Sequence, residues 1–311
     1  MKKILIIDEM HPSIVPLLTR AGFEVVYKPN ISKEEVKNEI GQYDGMILRS
    51  KIFIGKEILE HAPGLKFIAR AGAGLDQIAL EEVYKRNIRI LNAPEGNRDA
   101  VAEHAIGLML ALFNKLNSAD IEIRNGKWLR EENRGYELGG KTIGIIGYGH
   151  NGKALAKKLK GFDVNVLAHD ILPKHEVENE DARMVEMEQI WEQADILSLH
   201  VPLTNLTKNL VNDAFLSRFK KNIWLFNTSR GEVVDLKALI ENLDKGKVRG
   251  AGLDVLPIEN LSAFKQQMPI EYEKLMQNKN VILTPHVAGW THESYQKINE
   301  VLVKKILELG L

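Results

Sequence analysis

The stretch Lys141-Thr142-Ile143-Gly144-Ile145-Ile146-Gly147-Tyr148-Gly149-His150-Asn151-Gly152 carries the reading of the fold. An apolar run of strand character enters a Gly-x-Gly-x-x-Gly turn and leaves it in a helical pattern over 153–159. The glycine pattern alone is a weak signal; its place between strand and helix gives it meaning. Gly147 makes the tight turn, Gly149 lets a pyrophosphate approach the backbone, and Gly152 lets helix and strand pack closely. The helix start then offers free N–H groups and a partial positive charge to phosphates. Asp170 ends the next strand, 18 positions after Gly152. A carboxylate there accepts hydrogen bonds from ribose hydroxyls and repels a 2′-phosphate, so the expected cofactor is NAD rather than NADP. Lys174 is close enough in sequence to keep the second cofactor open.

Outward from this unit, short apolar runs alternate with helical patterns to both ends of the chain. That rhythm belongs to parallel sheets covered by helices on both faces, whose strands read as continuous apolar runs. The first half offers strands at 3–8, 24–27, 45–49, 66–71 and 89–92; the second at 142–147, 165–170, 196–200, 223–227, 250–255 and 281–284. A long apolar helix is expected over 100–124, buried between domains or subunits, and a last helix over 293–309 that returns to the first domain. Lys2-Lys3-Ile4-Leu5-Ile6-Ile7-Asp8 echoes the strand at 142–147, but only the latter runs into a glycine turn. The fold class is α/β: two Rossmann- or flavodoxin-like, doubly wound parallel-sheet domains, of which only the second holds a dinucleotide.

Composition agrees with this and excludes other classes. A chain of 311 residues suits two domains, and 44% hydrophobic with 27% charged residues is globular composition. Lys plus Arg (42) equals Asp plus Glu (42), against a nucleic-acid or anionic-membrane partner. There is no cysteine, which removes disulfides, thiolate nucleophiles and Cys-ligated zinc, and no metal site is expected. Ile4–Ile7 is too short for an export signal, and the apolar run 105–113 is about half of a membrane span. A cytoplasmic location is expected.

In a doubly wound sheet, ligands bind beyond the carboxyl ends of the strands. Those ends carry Asp170, His200, Arg230, Asp254 and His286, with Glu259 shortly after Asp254. Singly, each is more readily a turn residue, a cap or a solvated loop acid. Together they offer what nicotinamide chemistry on a hydroxy acid requires. Arg230 is a bidentate cation for a carboxylate, His286 a proton acceptor, and Glu259 the carboxylate that orients the imidazole and stabilises its charged form.

With these residues in view, the sequence resembles the D-isomer-specific 2-hydroxyacid dehydrogenases along nearly its whole length. The resemblance lies in Arg49-Ser50, Arg70-Ala71-Gly72-Ala73-Gly74-Leu75-Asp76, Asn92-Ala93-Pro94 with Asn97, Val101-Ala102-Glu103 and Gly126-Lys127-Trp128. It continues through the glycine turn, 199–204, Asn227-Thr228-Ser229-Arg230-Gly231, 254–259 and Thr284-Pro285-His286-Val287-Ala288-Gly289. It implies a substrate domain built from 1–98 and 288–311, with an NAD domain, 99–287, inserted between them. It implies catalytic roles for Arg230, Glu259 and His286. It places Gly72, Ala73 and Gly74 at the substrate carboxylate, with Ala73 also near the nicotinamide. Gly147, Gly149, His150, Asn151, Gly152, Asp170, Val201, Thr228, Arg230, Asp254, His286 and Gly289 would face the cofactor. A homodimer through the helix 100–124 is implied as well. Asn260 in place of a usual Pro, Ile52 in place of a frequent Thr, and His150-Asn151 in place of Arg-Ile depart from the pattern. So does the long stretch 261–279, which looks helical.

Within the family the sequence is most similar to the phosphoglycerate dehydrogenase branch. Arg49-Ser50 and Arg70 at first-domain strand ends could hold a phosphate, with Lys51 adding charge and Arg130 or Arg134 reaching across a dimer. Surface pairing with Asp or Glu is the alternative reading of these arginines. The expected reaction is oxidation of 3-phospho-D-glycerate to 3-phosphohydroxypyruvate, at the head of serine biosynthesis, in a short form without a regulatory domain. The alternatives are a glyoxylate, hydroxypyruvate or other 2-keto acid reductase and, from another class, a non-catalytic NAD-sensing interaction protein.

Overall fold

The computed structural model describes residues 1–264 and 267–310. Lys265 and Gln266, inside the stretch 261–279 read as helical, and Leu311, at the end of the segment 288–311, lie outside the described residues. The chain forms two units, Met1–Arg98 with Trp290–Leu311, and Asp99–Gly289.

The first unit holds five parallel strands: β1 (Lys3–Ile6), β2 (Glu24–Tyr27), β3 (Gly45–Leu48), β4 (Phe67–Arg70) and β5 (Arg89–Asn92). They lie in the order β2-β1-β3-β4-β5. Alternation along β1 and β3 sorts side chains to two cores. Leu5, Met46 and Leu48 go to one, Ile4, Ile6 and Ile47 to the other. The last helix, His292–Leu307, closes the second core with Ile298, Leu302, Val303 and Ile306. Its start is fixed by a capping box between Thr291 and Ser294.

The second unit holds seven parallel strands: β6 (Thr142–Ile146), β7 (Asn165–His169), β8 (Arg183–Met184), β9 (Ile196–Leu199), β10 (Ile223–Asn227), β11 (Val248–Leu253) and β12 (Val281–Leu283). Their order is β12-β11-β10-β9-β6-β7-β8. Ile143, Ile145, Trp224 and Phe226 face one core, Ile146, Leu197, Leu199 and Leu225 the other. Each sheet reverses its winding once, between β1 and β3 and between β6 and β9. Such switch points open a crevice at the strands' carboxyl ends.

Two expectations need correction, and one strand is additional to those read from the sequence. The helix read over 100–124 is two helices, Pro94–Phe113 and Leu116–Arg124. Lys115 between them has φ +51°, and the Phe113 carbonyl accepts the Tyr136 N–H at 3.0 Å instead of an in-helix donor. β8 was not foreseen; two residues carry no readable alternation. The stretch 261–279 starts with a short 3-10 turn, Leu261–Phe264, and its α-helix begins after Pro269, at Ile270–Gln277. Proline is tolerated at a helix start but not inside one. Among the described residues no helix is long and apolar enough to cross a membrane.

Candidate active site

The glycine turn forms as its sequence requires. Gly147 has φ +90°, and a Cβ there would lie 2.5 Å from the His200 carbonyl oxygen. A Cβ on Gly152 would lie 2.2 Å from the Gly147 carbonyl oxygen, whereas one on Gly149 would meet nothing within 4 Å. The turn therefore needs glycine at 147 and 152 for its own closure, while at 149 it leaves an open cradle. The helix His150–Leu159 starts directly behind Gly149, and the Val201 side chain abuts Gly147. Asp170 accepts the Tyr148 N–H at 2.6 Å and the Leu172 N–H at 3.0 Å. Each oxygen keeps a further lone pair for a ligand hydroxyl. A cavity of about 210 Å³ opens beside it, lined by His169, Asp170, Leu172, Lys174, Met184 and Val185 among others. Lys174 reaches Glu178 at 3.5 Å.

Three buried polar atoms around this turn have no partner among the described residues: Asn151 Oδ1, His200 Nδ1 and Thr228 Oγ1. Buried polar groups are normally satisfied, so these orphans, on the helix start and at the ends of β9 and β10, mark where a polar ligand belongs. With the open cradle over Gly149, they fit a dinucleotide.

The acid–base candidates separate cleanly. Burial pushes the His200 imidazole down to about 4, and its Nε2 lies 2.9 Å from Ser198 Oγ. It stays neutral near pH 7 and faces no carboxylate partner among the described residues. His286, exposed after β12, places Nδ1 2.8 Å from Glu259 Oε1 and 3.0 Å from Oε2. An ionised carboxylate only accepts, so Nδ1 carries the proton and Nε2 of the neutral ring is left with its lone pair. Arg230 leaves β10 through a turn built on Asn227. The buried Asn227 side chain donates to the Arg230 carbonyl at 2.9 Å and accepts from the Ser229 N–H at 3.0 Å. Gly231 lets the Glu259 loop come close: a Cβ there would sit 2.0 Å from the Leu256 carbonyl carbon.

Asp254, read from sequence as facing the cofactor, also holds the loop that carries His286. Its side chain is fully buried and accepts from Thr284 Oγ1 at 2.6 Å, Val287 N–H at 2.9 Å and Ala288 N–H at 2.8 Å. Its carbonyl takes the His286 N–H at 2.8 Å. Asp254 thus fixes the loop on which His286 adopts φ +54°, a conformation costing an L-residue about 1–2 kcal/mol. Behind it stands His104, which sequence reasoning missed although it directly follows the Val101-Ala102-Glu103 motif. Its Nε2 is 3.0 Å from Thr284 Oγ1. The threonine proton goes to Asp254, so His104 is the donor.

In the first unit, Arg49 follows β3 at the switch point. Its N–H donates to Asp8 Oδ2 at 2.5 Å. Its guanidinium lies 4.0 Å from the Trp290 ring centroid and 5.3 Å from that of Tyr295. Arg70 Nε donates to the Arg49 carbonyl at 3.2 Å. A Cβ on Gly72, at φ +138°, would lie 1.9 Å from Arg70 Nη1, so only glycine lets that side chain lie across the backbone. Asn92 Nδ2 holds the Ala73 carbonyl at 2.7 Å, and the Ala93 N–H holds that of Gly72 at 2.8 Å. Ser50 is exposed beside Arg49. Lys51, expected to add charge to the site, is instead tied to the Pro29 and Ile31 carbonyls, both at 2.7 Å. Arg134 pairs locally with Glu131 at 2.6 Å.

Residues 106–288 match the family model described as D-isomer specific 2-hydroxyacid dehydrogenase, NAD binding domain. The D-3-phosphoglycerate dehydrogenase of Archaeoglobus fulgidus is 33% identical over 99% of this chain, which spans 57% of that relative's length. The hydroxypyruvate reductase of Thermotoga maritima is 34% identical over 95% of this chain and 94% of its own. The structure of D-lactate dehydrogenase from Aquifex aeolicus, complexed with NAD and lactic acid, superimposes with a TM-score of 0.82 at 26% identity, covering 99% of this chain and 95% of that one. The chain belongs to the D-isomer specific 2-hydroxyacid dehydrogenase family.

Proposed function

We propose that this protein is an NAD-dependent D-2-hydroxyacid dehydrogenase whose substrate is 3-phospho-D-glycerate, oxidised to 3-phosphohydroxypyruvate. The observation that carries the reaction class is the His286–Glu259 pair, with Nδ1 held by the carboxylate. Nε2 of His286 takes the hydroxyl proton, and Glu259 stabilises the imidazolium that results. Arg230 holds the substrate carboxylate and polarises the forming carbonyl. Bound NAD supplies the acceptor for the C2 hydride. Gly147, Gly149, Gly152 and the helix start would receive its pyrophosphate, Asp170 its ribose, and Asn151, Val201 and Thr228 line its path.

The phosphate rests on Arg49 and Arg70. No described carboxylate forms an ion pair with Arg49; its guanidinium stacks on Trp290 and gives one N–H, from Nη1, to the Glu9 carbonyl at 3.5 Å, so the five-donor fork keeps donors for an anion. The residues 72–74 take the substrate carboxylate, so residues 1–98 and 288–311 act as the substrate domain and 99–287 as the cofactor domain. We place the protein in the cytoplasm as a homodimer, at the head of serine biosynthesis. A reductase of hydroxypyruvate or glyoxylate is the second reading, favoured by the Thermotoga relative, which matches along almost its whole length. A steady-state panel of 2-keto acids with NADH and NADPH, run on the wild type and His286→Ala, tests the assignment. The phosphorylated substrate should be preferred, and the variant should lose about two to four orders of magnitude in turnover. Full activity in the variant would sink the acid–base role; a preference for glyoxylate would favour the second reading.

A further inference from the structure

Glu259 is an exposed carboxylate on an irregular loop after β11, yet it holds His286 through both oxygens. Exposed ion pairs of this kind are weak unless the backbone beneath them is restrained. Two contacts restrain this one. On one side Gly231 lies against the Leu256–Pro257 peptide. On the other, the Tyr272 hydroxyl accepts the Ile258 N–H at 2.7 Å, one residue before Glu259.

Tyr272 is well placed to act as a fixed post. It is buried on the helix Ile270–Gln277, whose Leu275 sits in the core of the second unit. Its ring packs edge-on against Phe264, with centroids 4.8 Å apart. Burial raises the phenol pKa, the Ile258 N–H partly opposes this, and the Glu232 and Glu259 carboxylates add to the rise. The hydroxyl therefore stays neutral next to the carboxylate it serves. The helix that carries it belongs to the 261–279 stretch, which the acid–base set otherwise leaves without a role.

We infer that Tyr272 is a positioning residue for the reaction. Its hydroxyl fixes the Ile258 peptide and so holds Glu259 within reach of His286 Nδ1. The inference rests on the acid–base role proposed above for that pair. Tyr272→Phe removes the hydroxyl and keeps the ring. In that variant kcat should fall about three- to tenfold, the range one lost hydrogen bond spans, while KM, NADH affinity and melting temperature stay near wild type. Because Tyr272 acts only through Glu259, the double variant Tyr272→Phe/Glu259→Gln should be no slower than Glu259→Gln alone. Amide exchange at Ile258, slow in the wild type, should accelerate in Tyr272→Phe whether or not substrate is turned over. Unchanged kcat, or a loss that multiplies with that of Glu259→Gln, would overturn the inference, as would unaltered exchange. A wild type that reduces no 2-keto acid but shows the exchange difference would instead overturn the dehydrogenase reading and, with it, the catalytic consequence of the hold.

Discussion

His286 and Arg49 hold their positions by opposite means. His286 is exposed and in a left-handed backbone, so its placement comes from beneath, through the buried Asp254 and the Thr284 and His104 behind it. Arg49 is placed from its face, by Trp290 and Tyr295. Stacking fixes the plane of a guanidinium without using its N–H donors. The consequence is specific to substrate chemistry. Arg49→Ala should raise KM for 3-phosphohydroxypyruvate by about 10- to 100-fold, as for lost hydrogen bonds to a charged group, and leave KM for glyoxylate within about twofold. Steady-state kinetics on both substrates reads the difference. An equal rise for both would assign Arg49 to the common part of the substrate or to the fold.

At the scale of elements, most strands are legible because two-face burial forces continuous apolar runs, and the polar residue that ends each run marks the ligand side. Arg230 and His286 stand out on that ground. Asp170 stands at such an end too, and Glu259 follows from its distance to Asp254. What stays hidden is set by tertiary contact. No pattern tells that Asp254 turns inward, that Tyr272 reaches back across 14 residues to Ile258, or that Lys115 breaks an apolar helix. The glycine turn is the element where sequence and geometry meet most closely, and its glycines do different work. Gly147→Ala forces a Cβ into the His200 carbonyl from a positive φ, and should destabilise the fold by about 1–3 kcal/mol. Gly149→Ala meets open space at φ −81°, so its melting temperature should stay near wild type. Its Cβ fills the cradle, and NADH affinity, measured by fluorescence titration, should drop about tenfold or more. Loss of stability in Gly149→Ala, or unaltered NADH binding, would show that the cradle is not where the pyrophosphate lies.

For the whole molecule, the net charge of zero says nothing of where apolar surface is exposed. The helix Leu116–Arg124 buries none of its residues in the chain. Leu116, Ile121 and Ile123 are more than half exposed, and Trp128 shortly after is 78% exposed. Exposed apolar surface of this extent is the kind that interaction sites carry. The preceding helix spends Ala105, Leu108, Met109 and Phe113 on the core of its own unit. The break at Lys115 therefore divides the two: Pro94–Phe113 packs into the fold, and Leu116–Arg124 with the segment after it keeps its apolar side chains exposed. A second copy of the chain is the partner proposed above, and a two-fold axis would bring the same apolar patch onto itself. Stable dimers bury about 1,200 Å² or more in total, with a core depleted of charge. Two carboxylates in that core are costly because each loses its water without gaining a partner. Sedimentation equilibrium should give the wild type a mass of twice 35.1 kDa. Ile121→Asp/Trp128→Asp should sediment at the single-chain mass and keep its circular dichroism spectrum, since neither side chain is buried within the chain. A wild type that stays at the single-chain mass at tens of micromolar would remove the dimer and leave the apolar patch to a different partner.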